Sequence, residues 1–349
     1  MFCALSEAKG MDIIMNEIKL GKYIIGDGYP CFIIAEAGSN HNGDIKQAKK
    51  LVDVAVESGA DAVKFQTFTA DKLFSKDHPA NKIVKNFEFK LEWHKEMKEY
   101  CDKKGIMFIT TPFQKDAVDL LENLNIEGYK IASGDMDYYP FLDYISNTGK
   151  PIILASGMAY MDEVKEAFYR IKNGKTEDIA ILHCVSNYPP KDEDINLKAI
   201  ETIKEEFNVP VGFSDHSMGI TVPIAAVALG ANIIEKHFTI SRKLEGMDHF
   251  YALEPQELKQ MVTEIRKVEK SMGTGIKTPV KAEFAERHHA RRGIIAACNL
   301  QKGQIIEGEY LDYVRPVYGI ESKYYEEVIG RKVNKNIDVD SPIHWEDLV

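Results

Sequence analysis

The sequence predicts an α/β fold: a (β/α)8 barrel followed by a small, mainly β domain. Three observations carry this. Between Cys31 and Gly273, eight short apolar runs alternate with amphipathic stretches of helical period. Most of the runs are near-continuously apolar at their start, as strands covered on both faces are. Beyond residue 290 the texture changes to short β-like runs separated by turn residues. A doubly wound open sheet is the alternative, but such sheets usually have fewer strands and a glycine-rich phosphate loop. Neither GxGxxG nor GxxxxGKS occurs in this chain.

Taken in order, residues 1–14 are unlike the rest of the chain, and Met15 begins a stretch, MNEIKLGKYIIGDG, that predicts a short hairpin. Residues 1–30 are therefore expected to form an extension and hairpin, and residues 31–273 the barrel. Its strands are expected in CFIIAEAG (31–38), AVKFQTF (62–68), IMFITTPF (106–113), GYKIASG (128–134), PIILASGM (151–158), IAILHCVS (179–186), PVGFSDHS (210–217) and IIEKHFT (233–239). Between them lie patterns such as DIKQAKKLVDVAVESG, with Ala48, Leu51, Val52 and Ala55 on one helical face. Gly59, Gly105, Gly149 and Gly174 are placed to end helices. Pro255 is placed to open the last one. Residues 274–289 predict a polar linker. Residues 290–349 predict the small domain, with strands in GIIAAC and YLDYVRPV, turns at QKGQ and EGEY, and a helix only in SKYYEEVIG.

The 349 residues carry 44 Lys and Arg against 54 Asp and Glu, a net charge of −10, with 44% hydrophobic residues. That apolar content excludes a disordered chain. The acidic balance argues against a nucleic-acid binder, which normally presents a basic surface, but leaves room for a basic pocket that takes a small anion. No apolar run is long enough to span a bilayer, and the N-terminus lacks the apolar core of a signal peptide. Cys3, Cys31, Cys101, Cys184 and Cys298 are scattered, with no CxxC pair. Such usage suits buried thiols in a reducing cytoplasm.

In a barrel the active site lies at the C-terminal ends of the strands. Those ends here carry Glu36, Lys64, Gln66, Thr110, Thr111, Lys130, Ser133, Asp135, Ser156, Ser186, Tyr188, Ser214, His216, Glu235 and His237, with Asp248 in a following loop. Lysines inside a barrel are costly unless an anion compensates them. Lys64 and Lys130, with Ser133, Ser156, Ser186 and Ser214, suit a phosphate or carboxylate cradle. The alternative is that each lysine pairs with a carboxylate of the barrel. His216 and His237 end neighbouring strands and suit Mn²⁺, Fe²⁺ or Zn²⁺, with Glu36 and Asp248 placed to complete or orient the shell; hydrogen-bonded structural histidines are the alternative. Glu36 suits acid–base work or a pairing with Lys64. His183 and Cys184 are adjacent on a strand, so they point to opposite faces and do not form a nucleophilic pair. His288 and His289 read as a solvated linker pair.

The motifs FIIAEAGSNHNGD, GADAVKFQTF, TTPF, YKIASGD, KPIILASGM, LHCVSNYP, GFSDHSMGI and IIEKHFT, in this order, resemble the N-acetylneuraminate (sialic acid) synthase family. RRGIIAACNLQKGQIIEGEYLDYVRPVYGI resembles that family's antifreeze-like (SAF) domain. The resemblance runs from about Met15 to the end of the chain. It implies condensation of phosphoenolpyruvate with an N-acylated hexosamine such as N-acetylmannosamine, giving a nine-carbon 2-keto acid and phosphate. It also implies a divalent metal, Mn²⁺ or Mg²⁺, and a domain-swapped homodimer. His216 and His237 then match metal ligands and Glu36 the acid–base glutamate, with Lys64, Lys130 and Asp135 beside it as the other catalytic candidates. Lys64, Lys130, Ser133, Ser186 and Ser214 match the phosphoenolpyruvate site. Gln66, Thr111, Tyr188 and Asp248 match the sugar side, and Arg315 the SAF arginine that reaches a partner's site. Departures are Asp135 for a common glutamate, Ser186 for an asparagine, Ala155-Ser156-Gly157 for Ser-Thr-Gly, Met247, and RPVYGI for RPG. They concern the acceptor sugar more than the phosphate. Legionaminic or pseudaminic acid synthase and a spore-coat polysaccharide relative are the same chemistry on another acceptor. Barrel aldolases for phosphorylated sugars lack a SAF domain. A non-enzymatic binder would not need the lysines and histidines.

Overall fold

Alternating apolar runs and amphipathic helices leave the chain one way to bury both: strands side by side, with helices outside. The computed structural model describes residues 16–349; the expected extension over 1–14, with Met15 opening the body, lies outside them. The chain divides into two compact units, the first ending at Gly273 and the second spanning Thr274–Val349.

In the first unit, β1 (Glu17–Leu20) and β2 (Tyr23–Gly26) form an antiparallel hairpin that turns at Gly21, φ +57°. Eight parallel strands follow: β3 (Phe32–Gly38), β4 (Ala62–Thr67), β5 (Met107–Pro112), β6 (Tyr129–Ile131), β7 (Ile152–Ala155), β8 (Ile179–Cys184), β9 (Val211–Asp215) and β10 (Ile233–His237). Their order is β5-β4-β3-β10-β9-β8-β7-β6, so the last strand pairs with the first and the sheet curls into a (β/α)8 barrel. Among the described residues no hydrogen-bonded ladder joins β5 to β6, which leaves a seam.

The two-residue period of a strand sorts the side chains. Inward at the strand starts, Phe32, Ile34, Ala62, Ile109, Ile153, Leu182 and Ile233 pack on Ile18, Leu20 and Ile25 of the hairpin, which closes that end of the barrel. Outward, Ile33, Val63, Phe65, Phe108, Ile181 and Ile234 pack on helix residues such as Leu51, Val52, Leu258 and Ile265. Further along the same inward rows the apolar residues give way to Glu36, Lys64, Thr111, Ser214, Glu235 and His237, all buried.

The helices stop where local chemistry stops them. The helix Ile45–Ser58 starts at Asp44, which accepts a hydrogen bond from the Lys46 N–H, and ends at left-handed Gly59, φ +79°. Gly105 ends Trp93–Lys104 likewise. Gly149 is left-handed, but it lies beyond the Asn147 cap of Tyr139–Ser146. Gly174 corrects the expectation: Asn173 caps that helix, and Gly174 is needed because a Cβ would stand 2.4 Å from the Ser146 Oγ. Pro255 opens Pro255–Met272, where Glu254 and Glu257 form a capping box.

Residues 274–289 are not all linker, since a helix spans Glu283–Ala290. It buries none of its residues, so no apolar stripe announced it. In the second unit β11 (Gly293–Ala296) pairs antiparallel with β12 (Leu311–Val314). Its own core gathers Ile294, Leu300, Ile306, Ile320, Val328 and Ile343. The SKYYEEVIG stretch contributes the short helix Tyr325–Val328.

Candidate active site

Four buried charges form a chain at the C-terminal mouth of the barrel. Glu36 on β3 lies 2.9 Å from the Lys64 Nζ on the adjacent β4. Lys64 also approaches Glu235 Oε1 of β10 at 3.7 Å. Lys130 reaches the same oxygen from β6 at 3.3 Å, and the Ser214 hydroxyl donates to it at 3.1 Å. Of the two lysine readings the structure shows the pairing with carboxylates, which holds both lysines inside the mouth. Glu235 is the hub of the chain, and its Oε2 is buried with no hydrogen-bond partner. Glu235 had no role assigned from sequence, although its place two residues before His237 puts it on the same inward face.

Electrostatics separate the two glutamates. Burial raises the carboxyl of Glu36, and the Glu235 charge adds to this while Lys64 opposes it. Burial acts the same way on Glu235, but Lys130 and Lys64 together outweigh it and hold Glu235 below the usual range. Two carboxyls of one chain with pKa values pushed apart are the arrangement expected where one carries protons and the other stays charged. Gln66 donates to Glu36 Oε1 at 2.9 Å, and Lys64 donates to the Thr111 hydroxyl at 3.2 Å.

Ser133, Cys184 and Ser186 converge around Gly157. A Cβ at Gly157 would lie 2.4 Å from Ser186 Oγ, 2.7 Å from Cys184 Sγ and 2.8 Å from Ser133 Oγ. The Gly157 N–H donates to Ser133 Oγ at 2.9 Å. Cys184 faces inward here, whereas His183 faces the Ile195 carbonyl at 2.8 Å, as alternation requires. Ser156 is less available: its hydroxyl is spent on the Leu182 carbonyl at 2.9 Å. Asp135, in the turn after β6, is raised to about 7 by burial and by Asp137, and its Oδ2 is buried without a hydrogen-bond partner.

His216 and His237 stand with ring centres 5.5 Å apart. The Nδ1 of His216 takes the Val185 carbonyl at 2.8 Å, which leaves its Nε2 for another partner. His237 Nδ1 is buried with no hydrogen-bond partner. Burial lowers both imidazoles to about 4, so both are neutral at pH 7. Asp248 is close by, with Oδ2 held by the Ser39 N–H at 3.1 Å and the Ser39 hydroxyl at 2.6 Å, and Oδ1 by the Tyr251 hydroxyl at 3.0 Å. The β3–β4 register shifts at Glu36/Gly38, and Gly38 takes φ +51°. A Cβ at Gly38 would meet the Asp248 Oδ2 at 2.9 Å, so only glycine admits this approach. Tyr188 covers His216 with ring centres 4.2 Å apart. Ser39 and Tyr251 were not evident from sequence because both lie in turns with no period. Arg315, at the end of β12, is exposed on the second unit.

Residues 51–277 match the model of the NeuB family, and residues 291–349 match the SAF domain. The chain is 45% identical to the uncharacterized protein MJ1065 of Methanocaldococcus jannaschii, over 96% of this chain and 99% of that one. It is 42% identical to an N,N'-diacetyllegionaminic acid synthase of Campylobacter jejuni, over 89% and 98%. The crystal structure of an N-acetylneuraminic acid synthetase from Leptospira borgpetersenii matches with a TM-score of 0.74 at 40% identity, over 78% of this chain and 95% of that one. The chain belongs to the NeuB family and is a synthase of that type, with a SAF domain at its C-terminus.

Proposed function

We propose that this NeuB-family chain condenses phosphoenolpyruvate with an N-acylated hexosamine and water, giving a nine-carbon 2-keto sugar acid and phosphate. The observation that carries the proposal is the buried chain Glu36–Lys64–Glu235–Lys130 at the barrel mouth. A buried lysine pair beside hydroxyls recognises a small polyanion, and a raised carboxyl beside it moves a proton. In this proposal Lys64 and Lys130, with Ser133, Ser186 and Ser214, hold the phosphate and carboxylate and stabilise their charge. The methylene carbon of phosphoenolpyruvate attacks the open-chain sugar aldehyde, whose oxygen becomes an alkoxide. Water adds to the neighbouring, phosphate-bearing carbon and gives one proton to that alkoxide; the C–O bond to phosphate then breaks, the remaining hydroxyl proton leaves with phosphate, and the 2-keto group forms. Glu36 moves the proton of the water or hydroxyl. Gln66, Thr111, Tyr188 and Asp248 face the sugar, and Asp135, its carboxyl raised to about 7, is a second candidate proton carrier; Ser156, with hydroxyl and N–H both on the Leu182 carbonyl, holds the end of β7 in place.

The free Nε2 of His216 and the orphaned Nδ1 of His237 fit a divalent cation, Mn²⁺ or Mg²⁺. Bound there, the cation supplies Lewis-acid polarisation of the aldehyde. The acceptor in the first reading is N-acetylmannosamine. The 42% identity to a diacetyllegionaminic acid synthase favours, as a second reading, a di-N-acetylated hexose. The proposal extends to a cytoplasmic homodimer in which Arg315 of one copy serves the barrel mouth of the other. The test is phosphate release from phosphoenolpyruvate with Mn²⁺ over a panel of mono- and di-N-acetylated hexoses. Release that depends on one acceptor is the expected result and identifies it; no release with any acceptor from folded protein overturns the proposal.

A further inference from the structure

We infer that Asp215 and Lys236, a buried ion pair on the outer face of the barrel, are positioning residues for the two imidazoles at its mouth. The inference rests on the metal reading of His216 and His237. Strand β9 runs out through Ser214-Asp215 into His216, and β10 ends in Glu235-Lys236-His237. In the ladder Ser214 faces Glu235 and Asp215 faces Lys236. Alternation sends the outer members of each block into the mouth and the middle members outward, on the same side as Phe213 and Ile234, which pack in the helical sheath.

There the Lys236 Nζ meets Asp215 Oδ2 at 2.6 Å, with side-chain exposures of 1% and 0%. The pair also grips the backbone just past His216. Asp215 Oδ1 accepts from the Ser217 N–H at 2.8 Å, and Lys236 donates to the Ser217 carbonyl. One ion pair therefore joins the two strands immediately beside both histidines and clamps the peptide that leaves His216. Stability does not account for it. Buried ion pairs are often replaced by packed apolar residues at no loss of stability, and Phe213 and Ile234, the preceding outward residues on the same two strands, already pack in the apolar sheath that such residues would extend. What an apolar pair does not reproduce is the fixed hold of one acceptor and one donor on the Ser217 peptide. The spacing of two imidazoles decides how well they share one cation, and groups behind metal ligands commonly set affinity.

The test uses the full chain and Mn²⁺ alone, with free Mn²⁺ read by electron paramagnetic resonance. In the double variant Asp215→Asn with Lys236→Met, the amide keeps the acceptor for the Ser217 N–H and the thioether fills the lysine's volume. The expected result is a cooperatively folded protein that binds Mn²⁺ at least about tenfold more weakly, with phosphoenolpyruvate affinity changed less than about twofold. Wild-type Mn²⁺ affinity in the folded double variant overturns the inference. Should the double variant not fold, Lys236→Arg keeps the charge while moving its donors, and the same loss of Mn²⁺ affinity is expected; wild-type affinity there overturns it. His216→Ala separates the two layers. If it leaves Mn²⁺ binding intact, the metal reading itself fails. If it abolishes binding while the pair variants do not, only the positioning role fails.

Discussion

Glu36 has one oxygen on the Gln66 amide and the other against Lys64, so glutamine in its place keeps the shape and removes the proton carrier. Glu36→Gln is expected to lower kcat by about two to four orders of magnitude. It also frees Lys64 of one counter-charge, so phosphoenolpyruvate should bind as well or more tightly. Steady-state rates with an equilibrium binding measurement check both; a wild-type kcat would remove Glu36 from the chemistry. At this scale the site was partly legible. Glu36, Lys64, Lys130, His216 and His237 stand out because charged or imidazole groups interrupt apolar strands. Glu235 was visible in the same way, but its role depends on which cations reach it across the barrel, and no spacing in the chain shows that. The Asp215–Lys236 pair was hidden for a related reason: outward positions are expected to be apolar, and only the strand register shows that these two face each other.

The element scale is set by how helices are fastened to strands. In Trp93–Lys104, His94 faces the Thr67 hydroxyl of β4 with Nε2 at 2.7 Å, and the Lys90 carbonyl with Nδ1 at 3.1 Å. Burial lowers this imidazole from 6.5 to about 4. The folded state thus resists a proton that the unfolded chain accepts. The contribution is fully present above pH 6.5 and is lost as pH falls toward 4, amounting to roughly 3 kcal/mol. Urea unfolding at pH 7 and pH 4.5 should show this loss, and a smaller one in His94→Gln; equal losses in the two proteins would contradict it. The strands were legible in sequence because most begin as a near-continuous apolar run, and every predicted run contains one. The helix Glu283–Ala290 was not, because it buries nothing. Gly174 was misplaced because a glycine that ends a helix and one that makes room for Ser146 look alike until the packing is known.

For the whole molecule, the net charge is −10, and the mouth sets two buried lysines against Glu36 and Glu235 beside two neutral imidazoles. If two copies share their sites through Arg315, a Glu36→Gln chain and an Arg315→Ala chain are each deficient alone. Mixed and reassembled, they should recover activity, since some sites then have both residues; no recovery under conditions that exchange chains would show that each copy works by itself. The seam between β5 and β6 has a consequence on another clock. Strands β3, β9 and β10 are hydrogen-bonded on both sides, so their amide protons should exchange with deuterium only when the barrel comes apart. Among the described residues the three of β6 have a ladder on the β7 side alone and should exchange by local opening, as the softest stave. Lys130 rides on that stave. A polyanion that pins it should slow exchange at Tyr129–Ile131 more than at β3, which makes one edge of the barrel a reporter of occupancy that needs no turnover.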